Sequence, residues 1–184
     1  LGSESLFPGM DRPFAVVGVM EKGYADVKIS AKSHGGHSST PPRKTPLARL
    51  AAFMDEVEKK RPFEKKMSPA VRMMLKKLAP SLPFATRLLF GNLWLTEPLI
   101  TWLFPKISAY GEALLKTTCC FTMCSGSDAP NVIPDEAYVI ANLRTSAHQG
   151  VEDSLNVLKK LGEKYDLDFE LLEHREASSC ADIS

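Results

Sequence analysis

Two stretches of this chain alternate between two kinds of side chain, one for one. In the first, Ala25, Val27, Ile29 and Ala31 fall on one side, and Tyr24, Asp26, Lys28 and Ser30 on the other. In the second, Ala137, Val139, Ala141 and Leu143 oppose Tyr138, Ile140, Asn142 and Arg144. Side chains of an extended strand point to alternate faces, so a period of two marks a strand with one face on a core. A fold that contains both must cover one face of a sheet and leave the other polar.

The covering elements are legible as helical periodicity. Thr45 can cap a helix whose first residue is Pro46, and Leu47, Leu50, Ala51, Met54 and Val57 then share a face, ending near Lys60 before Pro62. Val151, Leu155, Leu158 and Leu161 predict a second amphipathic helix. Thr117 to Met123, and Leu167, Phe169 and Leu171, predict two more strands. The order is β-α-β-β-α-β. It predicts an α+β fold of the ferredoxin-like kind, a four-stranded antiparallel sheet with both helices on one face. Residues 125–136 carry Gly126, Pro130 and Pro134 and read as a shaped loop. Phe14 to Met20 reads as a short buried strand that stops at Glu21-Lys22-Gly23.

A helical insertion, residues 62–116, interrupts this pattern. Pro69, Pro80, Pro83, Pro98 and Pro105 are expected to divide it into short helical pieces. Its Met, Leu, Phe and Trp side chains exceed what a solvated excursion needs, so they cover something. Packing on itself and on the sheet, an acyl-substrate wall, a membrane-surface contact and a neighbouring domain all satisfy that demand.

Composition narrows the function classes. With 44% hydrophobic residues and mixed charges, the chain is not disordered, and a net charge of +1 gives no reason to expect nucleic acid. The charge is uneven: residues 61–116 hold nine Lys/Arg against three Glu, +6, and the remainder sums to −5. No charged-then-apolar leader is present, and the longest apolar stretch, Leu88 to Phe104, is broken by Glu97 and Pro98. The chain as given reads as soluble, with no transmembrane segment. Cys119, Cys120, Cys124 and Cys180 form no Cys-x-x-Cys pair, so they read as small hydrophobes in a reducing compartment, which favours the cytoplasm.

The chemistry-bearing motif is His34-Gly-Gly-His37-Ser-Ser-Thr-Pro-Pro42, directly after the first alternating strand. Paired glycines let the backbone turn sharply and free His37 to project from a strand end, where it can donate to a developing negative charge. A solvated polar turn is the plainer alternative. As metal ligands, His34 and His37 lack a third partner nearby.

Glu21-Lys22-Gly23, Gly36-His37-Ser38-Ser39 with Pro41-Pro42, and Asn131-Val132-Ile133-Pro134 leading to Asn142-Leu143-Arg144 resemble the lid, or dimerisation, domain of the aminoacylase and carboxypeptidase zinc metallopeptidases. Residues 91–100, Gly-Asn-Leu-Trp-Leu-Thr-Glu-Pro-Leu-Ile, resemble the insertion of the carboxypeptidase S and N-acyl-amino-acid hydrolase branch. The resemblance implies a lid at residues 21–174, inserted between residues 1–20 and 175–184, which lead out of and back into a catalytic domain outside this chain. It implies two zinc ions held by that domain and none here, and a homodimer formed through the lid. The substrate class implied is N-acyl amino acids or small peptides. His37 matches the histidine that stabilises the oxyanion, in dimeric members that of the partner's active site. Asn131 and Arg144 match positions that hold the substrate's amide and terminal carboxylate. Residues 125–130, Ser-Gly-Ser-Asp-Ala-Pro, depart from the loop of many relatives. The domain alone is expected to be inactive.

The competing reading is a non-catalytic ferredoxin-like interaction or regulatory module. An RNA-binding version needs aromatic platforms on the central strands, and the third strand offers only Tyr138.

Overall fold

A computed structural model describes Gly18 and residues 20–179. The contacts divide the chain into two compact units, one of Lys22–Phe63 with Thr117–Ala177, the other built mainly on Glu64–Lys116.

In the first unit the alternating segments become β1 (Gly23–Lys32) and β5 (Glu136–Thr145), paired antiparallel over their whole length from Gly23↔Thr145 to Lys32↔Glu136. The outer strands are β3 (Thr118–Ser125) on β5 and β6 (Asp168–Arg175) on β1, giving the order β3-β5-β1-β6. Two-residue strands β2 (Gly36–His37) and β4 (Val132–Ile133) form a separate ladder. Both helices, α1 (Pro46–Lys60) and α6 (Val151–Gly162), lie on the face predicted to be apolar. There Ala25, Val27, Ile29, Ala31, Ala137, Val139, Ala141 and Leu143 meet Leu50, Phe53 and Val57 of α1 and Val151, Leu155 and Leu158 of α6. The four alanines let the helices approach closely, and larger side chains from the helices fill the layer.

α1 is rotated from the face expected of it. Pro46, Leu50, Phe53 and Val57 are the buried positions, whereas Leu47 is 49% exposed and Ala51 is exposed. Phe53 is wholly buried, with edge-to-face contacts to Phe121, Tyr165 and Phe169 at 6.2, 6.1 and 5.8 Å. Those three rings come from β3 and from the stretch after α6, and they decide which flank of an apolar arc turns inward. Thr45 stands at the N-cap, but its side chain makes no capping bond. α6 is capped from a distance: the Glu176 carboxylate accepts the Val151 N–H at 3.1 and 3.3 Å. The last strand runs through His174 and Arg175, which pair with Ala25 and Tyr24. Gly23 sits where a side chain has no room, since a Cβ would lie 2.1 Å from Thr145 Oγ1 and 2.9 Å from backbone atoms of Arg175 and Ala177.

The second unit has its own core of Met67, Val71, Leu75, Leu82, Phe90, Leu93, Ile100 and Leu115, with Phe90 edge-on to Phe104 at 5.8 Å. Its helices are α2 (Pro69–Leu78), α3 (Phe84–Gly91), α4 (Leu93–Ile107) and α5 (Ala109–Leu115). Prolines 69, 80 and 83 mark boundaries, but Pro98 and Pro105 do not divide the helix that contains them. A proline removes one N–H and frees the carbonyl four residues back. For Pro98 that carbonyl belongs to Trp94, and both residues are exposed, so the interruption falls on the outer side of the helix. Arg72 clamps Glu97 through Nε and Nη2 at 2.8 Å each, tying α2 to α4.

The expected strand at Phe14 to Met20 falls outside the described residues except for Gly18 and Met20, which carry no strand. Of the described cysteines, Cys120 and Cys124 are exposed rather than buried and Cys119 behaves as a small hydrophobe, its thiol pushed up to about 12 by burial; Cys180 lies outside the described residues. No helix among the described residues is long and apolar enough to cross a membrane.

Candidate functional site

His37 is placed by two glycines and a zip of backbone bonds. Gly35 has φ +64° and Gly36 φ +150°, conformations that a side chain disfavours, so the chain reverses where β1 ends. Ser33 N–H then donates to Asp135 O at 2.7 Å and its hydroxyl to Pro134 O at 2.8 Å. Gly36 pairs with Ile133 and His37 with Val132, and Ser38 N–H donates to Asn131 O at 2.9 Å. His37 and Asn131, 94 positions apart in sequence, are thereby held close together, His37 on β2 and Asn131 in the turn just before β4. An open cleft of about 420 Å³ lies against this junction, walled by Gly35, Gly36 and residues of the 126–135 loop, among them Asp128 and Asp135.

The ring of His37 is exposed and oriented. Its Nδ1 accepts the backbone N–H of Ser39 at 3.2 Å and lies 2.8 Å from the Ser39 hydroxyl. A backbone N–H cannot reverse its role, so the neutral imidazole carries its proton on Nε2. Nε2 makes no bond to another described residue and is available as a donor. The Asn131 side chain is exposed and likewise unengaged among the described residues.

Arg144 is not brought to this junction. It lies near the far end of β5, opposite Tyr24, whereas the glycine turn follows the other end of β1 at Lys32. Eight residues of strand separate Tyr24 from Lys32, which is roughly 25 Å. The guanidinium stacks 4.8 Å from the Tyr24 ring and forms no ion pair with a described residue. Tyr24 is itself fixed: its hydroxyl bonds the Asp26 carboxylate, whose other oxygen accepts Asn142 Nδ2 at 2.8 Å. That bond, followed by burial, raises the Tyr24 hydroxyl above the usual phenol range. Tyr24, Asp26 and Asn142 thus form a platform that presents Arg144 outward. Sequence reasoning missed this support, although all three stand on the polar side of the two alternating strands.

His34 makes no contact that would give it a role. Among the described residues, no group of three or more His, Cys, Asp or Glu side chains could hold a metal ion. Aromatic rings on the open sheet face are already covered, Tyr138 by Lys28 at 4.8 Å and Tyr24 by Arg144.

This fold defines an α+β domain of ferredoxin-like order, with a histidine on a glycine turn at one sheet end and an arginine at the other. The profile of the peptidase dimerisation domain matches residues 19–169, and the chain belongs to that family. It is 32% identical over 158 residues to the N-fatty-acyl-amino acid synthase/hydrolase PM20D1 of Bos taurus, covering 86% of this chain and 31% of the relative. It is 33% identical over 156 residues to a probable carboxypeptidase S-like 2 of Dictyostelium discoideum, covering 85% and 30%. The chain therefore spans about a third of the length of the curated relatives it matches. Among solved structures, a hydantoinase/carbamoylase family amidase from Burkholderia ambifaria shares the fold, with a TM-score of 0.50 and 9% identity over 86% of this chain and 29% of that one. Membership in this family does not favour the free-standing interaction module.

Proposed function

We propose that this chain is the lid and dimerisation part of a hydrolase that cleaves N-acyl amino acids or small peptides with a free carboxylate. The observation that carries this reading is the separation of His37 from Arg144. Each is exposed, and the length of β1 from Tyr24, beside Arg144, to Lys32, where the glycine turn begins, is roughly 25 Å, too long for one copy to bring both to a single small substrate. Two copies related by a twofold axis can, because one contributes its His37 end and the other its Arg144 end to the same site. The site is then composite, and a homodimer is part of the chemistry.

In this arrangement His37 Nε2–H donates to the oxyanion that forms when a nucleophile attacks the amide carbonyl. Asn131, in the turn beside His37, binds the amide. Arg144, placed over the Tyr24 ring, binds the terminal carboxylate with its planar fork. The names of the bovine and Dictyostelium relatives support a substrate class that ends in an amino-acid carboxylate. The catalytic domain lies outside this chain, reached through residues 1–20 and 175–184, and holds the two zinc ions. Glu21 and Ser178 support that path, since Ser178 N–H donates to Glu21 O at 3.0 Å and Glu21 N–H to Ser178 Oγ at 2.7 Å, setting the two chain ends side by side. The unbonded Cys119, Cys120 and Cys124 support a reducing compartment, the cytoplasm.

The test is His37→Ala in the full-length enzyme. Loss of an oxyanion donor predicts a kcat lower by roughly 100-fold or more with little change in KM. Normal turnover by this variant would contradict the assignment.

A further inference from the structure

A helix on the surface of a globular unit ordinarily shows one apolar stripe to the core and a polar face to water. α4 does not. Leu93 and Ile100 are buried in the core of their unit, with Phe104 packed against it. On the other side, Trp94, Leu95, Pro98, Leu99 and Trp102 are all exposed. Their spacing of i, i+1, i+4, i+5 and i+8 makes one continuous stripe at 3.6 residues per turn. Trp94 is 83% exposed and Leu95 65%, an unusual display for side chains of this size.

Cations gather at the two tryptophans. Trp94 and Trp102 border an open cleft of about 510 Å³ that is also lined by Lys65 and Lys66. Lys106 places its ammonium 3.7 Å from the centre of the Trp102 ring. The one carboxylate in the cleft, Glu97, is already neutralised by Arg72. Lys65, Lys66 and Lys106 form no ion pair with a described residue, so among the described residues these three positive charges have no counter-charge.

We infer that the outer face of α4 docks on the surface of a bilayer containing anionic phospholipid. The stripe offers apolar bulk and indole N–H groups, the chemistry of a side chain that sits at the headgroup boundary. Its 15 residues make a helix roughly 22 Å long, suited to lying flat in that boundary. The three lysines supply attraction to negative headgroups, and no free carboxylate in the cleft opposes it. This inference is independent of the hydrolase reading, since none of its residues lies at His37, Asn131 or Arg144.

The experiment uses the only two tryptophans of the chain, both of which are in the stripe. Phosphatidylcholine vesicles containing phosphatidylserine are expected to shift their emission to the blue and to carry the chain down on sedimentation, with binding weakened by salt. Vesicles of phosphatidylcholine alone are expected to bind far less. K65Q/K66Q is expected to weaken binding about 25-fold, at about fivefold per lysine neutralised. W94A/W102A, with its fold checked by circular dichroism, is expected to abolish it. The inference is overturned by an emission spectrum that ignores anionic vesicles, by equal affinity for both vesicle types, or by unchanged affinity of K65Q/K66Q. It is also overturned if the blue shift appears without vesicles and tracks dimer formation. Failure of the longer protein that carries this chain to sediment with the anionic vesicles would mean that its other parts cover the stripe, and would equally overturn it.

Discussion

Truncating Phe53 separates the helix face seen in the structure from the face that periodicity alone predicts. Phe53 has no exposed surface and touches three other rings edge-on at 5.8 to 6.2 Å. Core Phe→Ala changes cost about 3–5 kcal/mol, and the ring contacts place this one in the upper part of that range, about 4 kcal/mol. Phe53→Leu keeps most of the volume and loses the ring geometry, for about 1–2 kcal/mol. Leu47→Ala, at a position 49% exposed, is expected to cost under about 1 kcal/mol. Urea unfolding followed by far-ultraviolet circular dichroism is the assay. With a slope near 2 kcal/mol/M, the Phe53→Ala midpoint falls by about 2 M, while that of Leu47→Ala barely moves. Equal losses for the two alanine variants, or a Phe53→Ala loss below about 1 kcal/mol, would refute the packing described for α1.

Two further predictions concern charge. Glu56 is held at about 2 by hydrogen bonds from Lys164, Lys60 and Tyr165. Its folded pKa is depressed, so its contribution is present above the ordinary carboxylate value and lost as pH falls through about 2. The melting-temperature deficit of Glu56→Gln should accordingly be steady above pH 5 and shrink toward zero near pH 2; a pH-independent deficit would contradict this. Glu176→Ala removes the carboxylate that caps α6, and Gly150 at the N-cap has no side chain to replace it. The expected loss is about 1 kcal/mol in the same urea assay, and no loss would mean that the cap is idle.

The sheet was legible because a period of two is the direct imprint of a half-buried strand, and Ala25–Val27–Ile29–Ala31 and Ala137–Val139–Ala141–Leu143 carry it without a break. The inward face of α1 was legible only in part: Leu50, Val57 and the partly buried Met54 face the core as periodicity expects, whereas Leu47 is as apolar as Phe53 and only rings remote in sequence choose between them. Continuity of α4 through Pro98 was hidden for a similar reason, since the outward orientation of the turn that Pro98 interrupts is set by the fold. In the site, the positive-φ glycines announced the turn that carries His37. Its pairing with the Val132–Ile133 strand left no periodic trace, because two-residue strands are too short to have one; the family resemblance alone joined His37 to Asn131. The placing of Arg144 at the opposite end of the sheet from the glycine turn follows from strand register, which patterning does not encode, and the two-copy site proposed above rests on it.

Subunit complementation in the full-length enzyme tests that claim most directly. His37→Ala and Arg144→Ala are each expected to be nearly inactive alone. In a heterodimer of the two, one site receives both defects and the other receives His37 from one copy and Arg144 from its partner. Random reassortment makes half of all dimers mixed, so activity should recover to about one quarter of wild type. A mixture that stays as inactive as its components, while sedimentation shows that mixed dimers have formed, would contradict the composite site.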